Sequence, residues 1–263
     1  MCSSTPKAAQ KAEEAFKQLQ DEGVINLQDV HFVSDPALAE RICTNAYTSS
    51  ILPQFRSRII PVRGIVCRIT TPDPATAPRL PTTYALRFGS GLMDYLIQRP
   101  SDNSIIVGGA QAAFIYDLPS WYDNVSDDRL ISSAAARYFD GYMQHHFMGW
   151  ENSGARVVHI WTGVMGYSAD AVPFLGSVPG TDKGIYVIGG FTGHGMPAIL
   201  GCSKAVTEEI QMESNDLKAG QGSLWKGLRT LPAPYRITAE RLQSARNLVL
   251  DEWRRTWEDK ARL

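Results

Sequence analysis

Between Arg58 and Val107 the chain reads as short β-prone runs separated by turns, and this feature narrows the fold more than any other. The run Arg58-Ile59-Ile60-Pro61-Val62-Arg63-Gly64-Ile65-Val66-Cys67-Arg68-Ile69 is rich in β-branched residues, and 84–88, 93–98 and 105–107 continue the pattern. The spacers TTPDPATAPRLPTT, GSG and RPSDN carry the proline, glycine, aspartate and asparagine of turns. Strands this close in sequence leave no room for crossover helices, so they are expected to pair as an antiparallel meander. Leu130, Ile131, Ala134, Tyr138, Phe139 and Tyr142 then recur at helical spacing, which predicts one helix over 127–147 packed on that sheet. The expected class is α+β, a mixed, largely antiparallel sheet with flanking helices.

Further along, 156–162 reads as a strand, MGYSADAVPFLGSVPGTDKG as a loop, 185–188 as a strand, and a glycine loop leads to a helix from Pro197 to about Met212. Upstream, 5–22 reads as a polar helix stopped by Gly23, with a thin apolar stripe. Val30-His31-Phe32-Val33 resembles a strand, and Ser34-Asp35-Pro36 offers a cap and proline for a helix through about Tyr47. The tail, 238–262, is a charged amphipathic helix with Leu242, Ala245, Leu248, Val249 and Trp253 on one face. These readings divide the chain into a polar helix at 1–28, a main unit at 29–219 and a helical extension at 220–263.

With 26 basic against 27 acidic residues in 263, the net charge of −1 gives no electrostatic reason to expect nucleic acid or an anionic membrane as partner. Cys2, Cys43, Cys67 and Cys202 form no C-x-x-C pair and read as free thiols of a reducing compartment. With no apolar leader or membrane-length run, the expectation is a cytoplasmic protein. His145, His146 and His159 do not share a helix face with acidic partners, so no metal site is expected. A G-x-S-x-G nucleophile elbow is also missing.

The chemistry-bearing candidate is GIYVIGGFTGHGMPAIL, in which Gly193-His194-Gly195-Met196-Pro197-Ala198 fits G-x-G-x-x-A. A dinucleotide site also needs a second strand ending in an acidic residue about twenty positions on. Glu213 lies near that distance, but on or just past the helix, and no apolar strand follows. What remains is a glycine backbone that a flat ligand can approach, and helix-start amides suited to an anionic atom. The alternative is a strand-to-helix turn whose glycines serve packing alone.

GIYVIGGFTGHGMPAILGCSKAVTEEI, preceded by WTGVMGYSADAVPFLGSVPG, resembles the C-terminal segment of FAD-dependent oxidoreductases of the D-amino-acid oxidase, glycine oxidase and sarcosine oxidase type. TNAYTSSILPQFRSRIIPVRGIVCRI, MDYLIQRP and SIIVGGA resemble the interdomain helix and substrate strands of the same group, closest to its fungal branch. The resemblance runs in order from about Thr44 to Ile210. It implies a substrate sheet roofing a flavin and hydride transfer from an amine or amino-acid substrate. It also implies that Gly189, Gly190, Phe191, Thr192, Gly193, His194, Gly195 and Met196 lie by the isoalloxazine, with the helix start favouring negative charge at N1 and O2. FAD would be held non-covalently, since Cys202 lies inside the helix after the loop. The strand–GxGxxG–helix opening of the family has no counterpart before Val30. The expected remnant of the FAD-binding domain therefore lacks its AMP-binding half, and the alternatives are a genuine short variant, a subunit completed by a partner chain, or a fragment from an incorrect gene boundary.

The resemblance also places Ser168 and Asp170, before Pro173, at the ribityl side, where an ordinary polar turn is the alternative. His194 either touches flavin or substrate, or caps the turn. Arg63 and Arg99 each offer a fork for a substrate carboxylate, although either alone can equally be a surface ion pair. Tyr95 lies near Arg99 on a presumed substrate-facing strand, which makes these two the better catalytic pair, with His194. The competing function is a flavin-free module that keeps the fold for binding, non-redox chemistry or assembly.

Overall fold

The computed structural model describes residues 45–261, apart from 74, 76, 90–91, 127–129, 182–184 and 216–231. The helix expected at 5–22, the strand at 30–33 and the start of the helix after it lie outside the described residues, as do Cys2 and Cys43. Seven strands are described: β1 (Ile59–Thr70), β2 (Tyr84–Gly89), β3 (Leu92–Gln98), β4 (Ile105–Gly109), β5 (Arg156–Ser168), β6 (Phe174–Ser177) and β7 (Tyr186–Gly189). The first five form one sheet in the order β2-β3-β4-β1-β5, antiparallel throughout. Mixed helices with a mostly antiparallel sheet make the fold α+β.

The long strand β1 pairs along its whole length with β5, but β4 reaches only its second half, Ile65 to Ile69. This is where Pro61 is tolerated. Its carbonyl accepts from Asn124 N on the side β4 does not reach, and its missing N–H would have pointed the same way. Side chains of the sheet alternate between two unlike faces. Ile65, Cys67, Ile69, Leu96, Ile105 and Val107 are buried beneath Phe114, Trp121, Phe139, Tyr142 and Trp150. On the other face Met93, Tyr95, Ile97 and Trp161 are exposed.

The single helix expected over 127–147 is instead two short ones, Ser133–Arg137 and Tyr142–His146. They are separated by a turn ending at Gly141, whose φ of 66° is a left-handed conformation that ends one helix and starts another. The break serves a buried contact. Tyr138 and Tyr142 both donate their hydroxyls to Asp94 Oδ2, at 2.8 Å each, while Ala110 N donates to Oδ1 at 2.7 Å.

The stretch expected as a loop after residue 162 is more ordered in its pairing: β5 runs on to Ser168, and Phe174–Ser177 forms β6. β6 and β7 make a two-stranded sheet packed on both faces. Phe174 and Val187 meet Phe55, Ile59 and Ile237, while Leu175 meets Cys202 and Val206 of the Ile199–Asn215 helix. The tail, expected as one helix, is two: Ala239–Gln243 and Leu248–Ala261. Between them the backbone of Ser244 turns extended, and the carbonyls of Ser244 and Arg246 accept from Arg58 Nη1. Leu242 packs on the small-sheet core, and Val249 and Trp253 on the main core, so the predicted apolar face divides between two clusters.

Candidate functional site

The glycine loop follows β7 and folds across the end of β1 and β5. Gly190 N donates to Asn45 Oδ1 at 3.0 Å, and Thr192 N donates to Gly166 O at 2.9 Å. Phe191 bridges to Tyr167, and Ser168 meets Thr192 Oγ1 at 3.2 Å. Gly190, Thr192 and Gly193 all have φ between 54° and 75°, so the chain reverses sharply at the point where a Thr side chain also crosses into the left-handed region. Gly189 and Gly190 are buried against Ile59 and Thr48, and this half of the loop is a packed corner.

The second half, 193–196, is open. The Ile199–Asn215 helix starts two residues after Pro197, and Ala198 N and Ile199 N already donate to Gly195 O. The amides of Gly193, Gly195 and Met196 donate to no described group, which leaves three donors at the approach to a helix start. Met196 is 88% exposed. His194 Nδ1 lies 2.7 Å from Thr192 O; a carbonyl only accepts, so Nδ1 donates in this contact.

The helix contains Glu213, as expected, which puts the acidic partner of a dinucleotide fingerprint on the wrong kind of element.

From Gly193 the loop reaches the exposed face of the main sheet. A side chain built there would start 3.3 Å from the Tyr167 hydroxyl and 3.9 Å from Met165 Sδ. Tyr95 is on the same face, paired across to Gly108, where any added β-carbon would run into its ring. Burial, and then the neighbouring Asp94 charge, push the Tyr95 phenol up. Burial pushes Tyr167 up as well, followed by the carboxylate of Glu252 from the Leu248–Ala261 helix and by Tyr95.

The remaining sequence candidates sit elsewhere. Arg63 is 5% exposed on the helix-covered face and donates Nη1 to Ser120 O at 2.8 Å. Arg99 follows β3, with Nη1 3.5 Å from Asp102 Oδ2, and Arg68 reaches the same carboxylate at 2.9 Å. Asp170 accepts a bidentate fork from Arg241, Nε to Oδ2 at 2.6 Å and Nη2 to Oδ1 at 2.9 Å. Burial pushes this carboxyl up, but the Arg241 hydrogen bonds and charge outweigh it and hold the group below its usual range. Arg241 also lies 3.6 Å over the Phe174 ring, and it donates to the carbonyls of Val172 and Pro173. Asp170 thus ties the tail to the small sheet.

The family model described as FAD dependent oxidoreductase matches residues 18–209, well over half of the chain. The chain belongs to the FAD-dependent oxidoreductase family. A glycine oxidase from Geobacillus kaustophilus aligns over 75% of this chain and 44% of its own, at 19% identity and a TM-score of 0.44. An iminodiacetate oxidase from a Chelativorans species aligns over 70% of this chain and 43% of its own, at 15% identity and a TM-score of 0.46. This chain therefore spans less than half the length of either solved structure. No curated protein matches it.

FAD is the usual cofactor of the family. No described helix is long and apolar enough to cross a membrane, and no described cluster of His, Cys, Asp and Glu has the form of a metal site.

Sequence reading missed Asn45, which is 145 residues from the glycine it holds, and Arg241, 71 residues from Asp170; nothing local marks either one. Met165 and Tyr167 were within reach. They alternate with Gly166 in GVMGYS, and extending the strand past residue 162 would have put both on one face.

Proposed function

We propose that this chain carries the substrate side of a flavin-dependent amine or amino-acid oxidoreductase, with the loop 189–196 facing the flavin ring. The observation that supports it most is the set of amides at Gly193, Gly195 and Met196, which donate to no described group and open where Gly193 meets Tyr167 and Met165. Such donors at a helix start suit an electron-rich heterocycle edge, and the buried half of the loop holds them in place. FAD, when bound there, supplies the redox chemistry by accepting a hydride from a C–H next to nitrogen.

The chain's own residues would do the rest. Gly193 leaves room for a planar group, Tyr95 and Tyr167 orient a substrate, and His194 Nε2 would hydrogen-bond at the rim. Ser168 braces Thr192, which shapes the loop. Residues beyond those described, or a second chain, would hold the AMP half of the cofactor. Cys67 and Cys202 are free thiols, which supports a reducing, cytoplasmic setting.

The flavin-free module is the second reading, favoured by Asp170, whose two oxygens are both taken by Arg241 rather than turned to a ligand. Adding FAD to the purified chain separates the two. A perturbed visible flavin spectrum that bleaches with amines is expected. No retained flavin at tens of micromolar, a generous level for a small-molecule site, would sink the flavin reading for this chain.

A further inference from the structure

We propose that the substrate accepted on the exposed sheet face beside Gly193 is an apolar amine that carries no carboxylate. The proposal rests on the flavin reading for its chemistry but on separate observations for its specificity. An amino-acid site needs a cation within reach of the loop, and the described cations that sequence or position nominate are committed elsewhere. Arg63 points into the covered core, Arg68 and Arg99 share Asp102, and Arg241 holds Asp170. Arg58 donates to the carbonyls of Ser244 and Arg246. Arg87 is on the exposed face of the outermost strand, one strand from Tyr95 but four strand spacings, or about 19 Å, from the strand of Met165 and Tyr167 that lines Gly193.

The side chains against Gly193 are neutral: Met165 and Tyr167 of β5. Tyr95 of β3 belongs to the same sheet face, as does Trp161, which lies farther along β5, opposite Val66, and stacks on His159. The charge that Tyr167 feels comes from Glu252. On the sheet face itself a carboxylate would lose water and meet no described cation, because the Gly193, Gly195 and Met196 amides are the donors given to the flavin edge, and such unpaired burial costs on the order of several kcal/mol when complete. An ammonium group meets the opposite conditions: the Glu252 charge that Tyr167 feels and the aromatic faces of Tyr167 and Tyr95, which attract a cation. Met165 and Ile97 add apolar surface for the body of the amine.

Isothermal titration of the full chain with phenethylamine and with L- and D-phenylalanine tests this, since the three share a skeleton and differ in the carboxylate. Each titration is run with and without added FAD. Phenethylamine is expected to bind at least tenfold more tightly than either phenylalanine. Glu252→Gln is expected to weaken phenethylamine severalfold, and Met165→Arg to shift the preference toward phenylalanine, with circular dichroism confirming the fold of both. Equal or tighter binding of a phenylalanine overturns the proposal, as does failure of phenethylamine to bind in either condition. Retained amine preference with no perturbation of the flavin spectrum would instead uphold the specificity and remove the flavin reading.

Discussion

Asp94 and Tyr95 are neighbours in sequence and belong to two different kinds of surface. Asp94 is 2% exposed and Tyr95 44%, because successive residues of a strand point to opposite faces of the sheet. On the covered face most polar groups are turned to structural use, with Thr162 Oγ1 a buried exception. Asp94 gathers two tyrosine hydroxyls and a backbone amide, Arg63 donates to Ser120 O, and the Cys67 thiol is pushed up to about 12, first by burial. On the exposed face Met93, Tyr95, Ile97 and Trp161 are large and uncharged, the charged Arg68 and Arg87 lie among them, and the glycine loop opens at one end. The difference teaches that hydrogen-bond satisfaction, and not residue type, separates scaffold from candidate site: both faces contain tyrosines, but only on the covered one are they bound to a buried carboxylate.

The sharpest way to break the comparison is Asp94→Ala. It strands the Tyr138 and Tyr142 hydroxyls and Ala110 N, and should cost about 3–5 kcal/mol in chemical denaturation, since each orphaned buried group carries its own penalty. A loss under about 1 kcal/mol would mean that the covered face is no more dependent on its polar network than the exposed one. The same network predicts alkaline sensitivity. Burial and then Asp94 push the Tyr138 and Tyr142 phenols up, so the stabilisation they give is complete below the unfolded value near about 10 and is lost as pH rises toward the folded values. The melting temperature should fall above that pH in wild type, and less steeply when both tyrosines are replaced by Phe.

Gly108→Val tests the exposed face directly. Its β-carbon runs into the Tyr95 ring, so the ring must move, at a cost of about 1–3 kcal/mol for overpacking. Phenethylamine binding should weaken with it, and unchanged binding would take Tyr95 out of the site.

Asp170→Asn probes the third region, the tail, where losing a partly buried charged pair should cost about 1–3 kcal/mol. Because the folded carboxyl sits below its ordinary value, its stabilisation is present above about pH 4 and is lost as pH falls through the folded value. Limited proteolysis of the Leu248–Ala261 helix should therefore speed up in acid for wild type and be less dependent on pH in the variant. The smallest effect is expected for Tyr95→Phe, within about 0.5 kcal/mol of wild-type stability as at other exposed positions. Any change it makes in ligand binding then reports on function alone.

Strand-forming runs and their turns were legible because each depends on local residue type: β-branched alternation in 59–69, and proline and glycine between the strands. The glycine loop was legible for the same reason, since glycine suits the left-handed backbone found at Gly190 and Gly193, whereas the same conformation at Thr192 runs against its β-branched side chain and was not legible. Where prediction failed, a distant partner decided. The helix expected at 127–147 breaks so that Tyr138 and Tyr142 can both reach Asp94, more than forty positions earlier, and the tail breaks where Arg58 takes its carbonyls. Asp170 reads locally as a polar turn or a ligand contact; only folding brings Arg241 onto it.

The sequence by itself determined the antiparallel character of the main sheet and the turn that opens beside it, because local backbone preference and side-chain period suffice for these, while the family was legible only as a resemblance of whole segments. Tertiary structure alone decided which face of that sheet stayed open and which charges were already taken. Both depend on contacts between residues tens to hundreds of positions apart, and no local pattern encodes which of several arginines will find which carboxylate.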